Sequence, residues 1–255
     1  MSALRKIILE PAWILHHYPY RDSSLLLEIF TREHGRLGLV ARGARAAKSR
    51  WRGQLQGFTP LLLSWSIRGD LGTLTDIEMQ GNTQPAAGRQ LLSACYLNEL
   101  IMRLVTRHDP HPELFVAYAQ SLEALAINEE AALRLFEKCL LQELGYGLLL
   151  DREAETGLPV SADALYEYRL EQGPVRCNNN SSGLVLHGSS LLALFSEALD
   201  DQLACREIKR LMRAALSLYL GARPLRTREV MREFATLRAK SDVAAELYNR
   251  IREPG

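Results

Sequence analysis

The chain has 255 residues, 47% of them hydrophobic and 24% charged, with a formal net charge of +1. This is ordinary for a globular protein of one large or two modest domains, and it excludes low-complexity and fibrous classes. No apolar run approaches the roughly 18 residues of a membrane-crossing helix. The opening MSALRKIILEPAWILHH lacks the basic, apolar and small-residue order of a secretory signal, so a cytoplasmic protein with no membrane partner is expected.

From Ala12 to Met79 the hydrophobic period is close to two. Ala12, Ile14, His16 and Tyr18 alternate with Trp13, Leu15 and His17; Leu25, Leu27 and Ile29 alternate with their neighbours; Leu61, Leu63, Trp65 and Ile67 repeat the pattern. Alternation of this kind marks half-buried strands, and turn residues at 18–22, 32–35 and 68–70 separate them. Five short strands over residues 1–80 are too few for a sandwich. A small closed or partly open barrel is the economical arrangement, because closure removes exposed edges.

From Arg89 the period becomes helical. Leu92, Tyr96, Leu100 and Leu104 form one stripe, with Glu99 and Arg103 spaced to pair on the surface. Leu114, Tyr118, Leu122 and Leu125 suggest a second helix, and Leu133, Phe136, Leu140 and Leu144 a third, closed by Gly145. A mixed insert follows at about 151–188, with a strand at 166–170 and a turn at 177–183. Helix is expected again from Ser190 to Leu220 and from Thr227 to about Ala235. The fold class is therefore α+β: a barrel domain (1–80), a mostly helical domain (81–240) and a charge-rich tail (241–255).

Few residues suggest chemistry. Cys95, Cys139, Cys177 and Cys205 lie far apart with no C-x-x-C pair, and read as structural free thiols. The segment GARAAKS (43–49) lacks the glycine that a phosphate-cradling loop places before its lysine. His108-Asp109-Pro110-His111-Pro112 is a turn rather than a metal site. No nucleophile elbow or paired-carboxylate motif appears, so no catalysis and no cofactor are expected.

Charge is the informative feature. Residues 1–80 carry eleven Lys and Arg against seven Asp and Glu, a net of +4 hidden by the acidic remainder. Six of those cations (Arg36, Arg42, Arg45, Lys48, Arg50 and Arg52) fall between Arg36 and Gly53 with no acid among them. Small residues interleave them, and Trp51 sits between Arg50 and Arg52. Single-strand binders combine a cationic groove with aromatic faces for bases, so these seven residues are the candidate nucleic-acid site, with Trp51 the stacking ring and Trp65 core. Arg206, Lys209, Arg210 and Arg213 form a second basic face at helical spacing. It reads either as the polar side of an amphipathic helix or as a second track for DNA or an anionic partner.

The segments GRLGLVARGARAAKS and LQGFTPLLL, then YLNELIMRL, LRLFEKCLLQELGYGL and YLGARPLRTREV in that order, resemble the RecO family of recombination mediators over about residues 7–235. The resemblance implies an N-terminal OB-fold barrel and a mostly helical C-terminal domain. It also implies binding of single- and double-stranded DNA, annealing of complementary strands, and action with RecR and the single-strand-binding protein SSB to load RecA, in the cytoplasm at the nucleoid. Many members carry a four-cysteine zinc module, but the corresponding stretch here has only Cys177, so no zinc is expected and packing alone should hold the insert. The acidic, hydrophobic tail of SSB calls for an apolar pocket with basic neighbours. Arg134 and Lys138, one turn apart beside Leu133, Phe136 and Leu140, are the candidate receptor; the alternative makes those apolar residues plain core. Two rival readings are a nucleic-acid-modifying transferase and an OB-fold RNA-binding or ribosome-associated adaptor.

Overall fold

The computed structural model describes residues 4–81, 88–177, 181, 183–221, 223–233 and 236. The tail at 241–255, residues 234–235 of the last expected helix and most of the 177–183 turn lie outside this set.

Five strands, β1 (Arg5–Tyr20), β2 (Ser24–Thr31), β3 (Gly35–Ala41), β4 (Leu61–Ile67) and β5 (Leu71–Met79), close into a barrel in the order β1-β2-β3-β5-β4. The 16-residue β1 is long enough to pair with β2 along one half and β4 along the other. A short parallel pairing of β3 with β5 completes the ring. The alternation has a physical outcome on each face. Ile14, Leu27, Ile29, Leu37, Leu39, Leu63 and Trp65 fill the barrel, while Trp13, Leu15 and Phe30, of opposite parity, join the core of the helical domain.

That domain contains α1 (Gly88–Leu104), α2 (Pro112–Ala124), α3 (Glu129–Glu143), a small sheet of β6 (Leu165–Arg169), β7 (Gly173–Arg176) and β8 (Val185–His187), then α4 (Gly188–Phe195) and α5 (Gln202–Leu220). Asn128 caps α3 by accepting from the Ala131 N–H at 3.2 Å, with Glu129 and Glu130 in its first turn. Gly145, at φ +83°, ends the same segment in the left-handed conformation that favours glycine.

Three expectations are corrected. The single helix from Ser190 to Leu220 is two, because Glu197 takes φ +61° and Asp201 starts α5 afresh, accepting from the Ala204 N–H at 2.8 Å. Apolar periodicity continues across the break and conceals it. Glu99 and Arg103 do not pair with each other. Glu99 accepts from the Arg226 and Thr227 N–H groups (2.8 and 2.9 Å) and the Thr227 hydroxyl (2.6 Å), capping a helical stretch at 226–233. Arg103 donates to the carbonyls of Leu220 (2.6 Å) and Arg223 (2.8 Å). Nor is the insert held by packing alone. The buried Glu153 accepts from Thr156 Oγ1 (2.6 Å) and the Tyr166 hydroxyl (3.2 Å), and that hydroxyl accepts from the Ser161 N–H (2.9 Å).

The two domains meet through an aromatic joint. Trp13 lies edge-on to Tyr118 with centroids 5.3 Å apart, and Phe30 packs against Phe115 at 5.6 Å. Beside it, the buried Glu28 pairs with Arg36 (3.2 Å) and with Arg107, and the His108 N–H donates to the Arg36 carbonyl (2.9 Å). Gly35, at φ +64°, permits this closeness: a Cβ there would lie 2.1 Å from the Asp109 carbonyl oxygen.

Candidate nucleic-acid interface

The loop between β3 and β4 is a chain of tight turns. Bonds run from the Ala46 N–H to the Gly43 carbonyl (3.1 Å), from the Ser49 N–H to Ala46 (3.0 Å) and from the Gln54 N–H to Trp51 (3.1 Å). Gly43 and Gly53 take φ +68° and +76°, conformations that small turns require. The loop is fastened at three points. The Arg45 N–H donates to the Ser23 carbonyl (2.8 Å) in the β1–β2 turn, the Arg50 guanidinium donates to the Thr75 carbonyl (3.1 Å) on β5, and Trp51 is buried between them.

Trp51 overturns the expectation of a stacking ring. It is 4% exposed within the barrel's apolar cluster, its Nε1 donates to the Arg42 carbonyl at 3.0 Å, and the Arg50 guanidinium lies 4.0 Å from the ring centroid. An indole enclosed on all sides offers no face to a base. It is instead the pin around which the basic loop is ordered.

Arg36 also leaves the candidate set. Its side chain is 14% exposed, paired with Glu28, and its Nε donates to the Val105 carbonyl (3.1 Å), so its charge is already matched inside the domain joint. Arg42, Arg45, Lys48, Arg50 and Arg52 are all exposed. Among the described residues none of the five pairs with a carboxylate, unlike Arg36, Arg107, Lys138 and Lys209. Arg21, not selected from the sequence, extends the patch. It is exposed in the β1–β2 turn, and its carbonyl lies 3.5 Å from the Arg45 guanidinium. The turn Tyr18–Asp22 was visible in the sequence, but its closeness to a loop over twenty residues away was not.

On the second basic face, Arg206, Arg210 and Arg213 are exposed along α5, while the half-buried Lys209 donates to Glu130 at 2.7 Å. The surface receptor drawn from Arg134 and Lys138 is corrected. Arg134 is 3% exposed and paired with the wholly buried Glu137 at 2.9 Å, beside the Tyr96 hydroxyl, which donates to Glu137 (2.6 Å). Lys138 turns the other way, donating to Glu197 (2.8 Å) and the Phe195 carbonyl (3.2 Å). The helix spacing was right, but Leu133, Phe136 and Leu140 are core and draw Arg134 inward with them.

Reactive groups are scarce elsewhere. Burial pushes the Cys139 thiol up to about 11, helped by Glu143, and raises Cys95 and Cys205 as well, so these three thiols are held away from the nucleophilic thiolate form. No group of three or more His, Cys, Asp or Glu side chains among the described residues is arranged to hold a metal ion, and no described helix is long and apolar enough to cross a membrane.

Residues 5–82 match the family model for the recombination protein O N-terminal domain, and residues 86–229 match that for its C-terminal domain. Among curated relatives, the DNA repair protein RecO of Alkalilimnicola ehrlichii is 48% identical over 233 residues, covering 90% of this chain and 93% of that one. The DNA repair protein RecO of Coxiella burnetii is 46% identical over 228 residues (89% and 99%), and that of Dechloromonas aromatica 42% over 243 residues (93% and 100%).

Proposed function

The chain belongs to the RecO family of DNA repair and recombination proteins, and from that premise we propose that its basic loop is a sequence-independent track for DNA phosphates. The observation that carries the reading is the group of five exposed cations at Arg42, Arg45, Lys48, Arg50 and Arg52, without carboxylate partners and held by the Trp51 pin. Arg21 adds a sixth charge at the end of the same patch. Cations already paired with carboxylates must give up those pairs to take a phosphate, whereas these need only release water and counterions. Their preorganisation lowers the ordering cost of binding.

Both single- and double-stranded DNA suit such a surface, since phosphate contacts position a strand without reading its bases. Annealing complementary strands requires two polyanions to be neutralised at once while their base edges stay free. The exposed Arg206, Arg210 and Arg213 on α5 support a second contact zone for DNA or an anionic partner. Action with RecR and SSB to load RecA is the part of this proposal that family membership alone supports.

The test is fluorescence anisotropy of a labelled 30-nucleotide single strand across a salt series, with Arg42, Arg45, Lys48 and Arg50 changed together to Ala. The variant should bind much more weakly, with a log–log salt slope flatter by about 0.7 for each lost contact. Unchanged affinity would remove the loop from the DNA path, and tighter binding of an RNA strand of equal length would favour the adaptor reading.

A further inference from the structure

At the C-terminal end of the basic loop the surface dips into a cleft of about 610 Å³ between the barrel, α1 and the segment leading to residues 226–233. Its size lies within the roughly 300–1,000 Å³ usual for small-ligand clefts. Leu15 and Met102 form the apolar floor, Tyr18 and Phe58 are aromatic walls, and Arg223 and Arg226 stand at the rim. Resting on the reading of the loop as the DNA track, we infer that this cleft receives an unpaired base of the bound single strand, with Arg223 and Arg226 holding the adjoining phosphates.

Two backbone irregularities converge on it. Phe58 has φ +62°, a conformation uncommon for a bulky residue and one that costs energy unless its surroundings enforce it. The result presents a half-buried ring at the point where the loop ends. Opposite, β1 carries a bulge: Ile14 pairs with Ile29 and His16 with Glu28, leaving Leu15 unpaired in the ladder. Asn98 on α1 captures the freed Leu15 carbonyl, donating through Nδ2 at 2.8 Å, and is itself oriented by the Tyr118 hydroxyl (2.6 Å). The bulge turns the following His16, His17 and Tyr18 outward, and Tyr18 is 40% exposed. The Phe58 and Tyr18 side chains both line one opening.

The charges fit a nucleotide. Glu99 is the acid of the cleft, and its carboxylate is occupied by the two N–H groups and hydroxyl it caps. The Arg223 and Arg226 side chains are exposed and, among the described residues, have no carboxylate partner. Gly57 and Phe58 line the cleft and belong to the same β3–β4 loop as the cations, so the inferred path runs along that loop into the cleft. A duplex keeps its bases stacked inside and can offer only phosphates here, so the cleft distinguishes the two forms of DNA.

The experiment compares a 20-nucleotide oligothymidylate with a strand of equal length made of abasic residues, both labelled, binding to the intact full chain. The parent should favour the strand with bases by about fivefold or more, the scale of one base stacked on an aromatic side chain. Tyr18→Ala and Phe58→Leu should each reduce that ratio towards one while duplex affinity and the thermal unfolding midpoint stay at the parent's values, which a loss of fold or of phosphate contacts would lower. Arg223→Ala combined with Arg226→Ala should weaken both strands while leaving their ratio above one. Equal affinity of the parent for both strands, or an unchanged ratio in both aromatic variants, overturns the inference. So does loss of binding to an acidic peptide with an apolar C-terminus while the DNA ratio holds, which would make the cleft a peptide groove. The loop reading fails differently: the loop variant would then bind both strands as well as the parent does.

Discussion

Trp51 and Arg36 show how a single residue's role follows from its partners rather than from its type. An aromatic ring between two arginines, in a basic loop, has the composition of a base-stacking site, yet the ring is packed inside the barrel with its N–H donated to Arg42. Truncation of Trp51 to Ala should therefore destabilise the fold by about 3–5 kcal/mol, measured as a lower denaturation midpoint. Arg50→Ala, which removes the cation over the ring and the bond to the Thr75 carbonyl, should change stability by about 1–2 kcal/mol and chiefly weaken DNA binding. A Trp51→Ala protein as stable as its parent but deficient in binding would return the ring to the stacking role. At this scale the sequence showed charge and missed pairing. Arg36 and Arg42 look alike in the chain, but only Arg36 meets Glu28, Arg107 and the Val105 carbonyl, and those contacts come from the tertiary fold.

Elements were more legible than residues. Strand alternation and helical stripes reflect burial on one face, which the residue order records directly. The strands and first three helices lie where the periodicity predicts, except that β1 begins at Arg5, ahead of the alternation that starts at Ala12. What periodicity cannot carry is interruption, as at 196–201, or attachment, as where Glu99 holds the 226–233 helix to α1. That attachment gives a pH signature. Burial raises the Glu99 pKa, but the Thr227 side-chain and backbone hydrogen bonds, the Arg226 N–H and Arg103 together bring it below the ordinary value of 4.5. A carboxylate depressed in the folded state contributes stability that is fully present above its unfolded pKa and is lost as pH falls through the folded pKa. The parent should therefore exceed Glu99→Gln in stability by a constant amount above about pH 5, and the gap should close on acidification below 4.5. Chemical denaturation of both proteins across pH 3–7 would measure it; a gap independent of pH would mean that the carboxylate is not the clasp.

Over the whole molecule, the decisive feature is the joint, where outward residues of the barrel complete the core of the helical domain. The two domains should unfold in one cooperative transition by calorimetry. Gly35→Ala, which sets a methyl group against the Asp109 carbonyl at a left-handed position, should cost about 1–3 kcal/mol and split that transition in two. Retention of a single unshifted transition would show that the joint relaxes around the methyl group.

The same joint sets the order in which a nascent chain becomes self-sufficient. The barrel strands are complete at Met79, but Trp13 and Phe30 lack their aromatic partners until Phe115 and Tyr118 of α2 have left the ribosome. At roughly 5–20 residues per second, that interval lasts on the order of 2–8 s. During it the half-made protein displays an aromatic patch that no later state exposes, a natural hold point for a chaperone and a vulnerable one for aggregation. Truncated messages ending before α2 should thus yield an insoluble barrel rather than a working DNA-binding fragment.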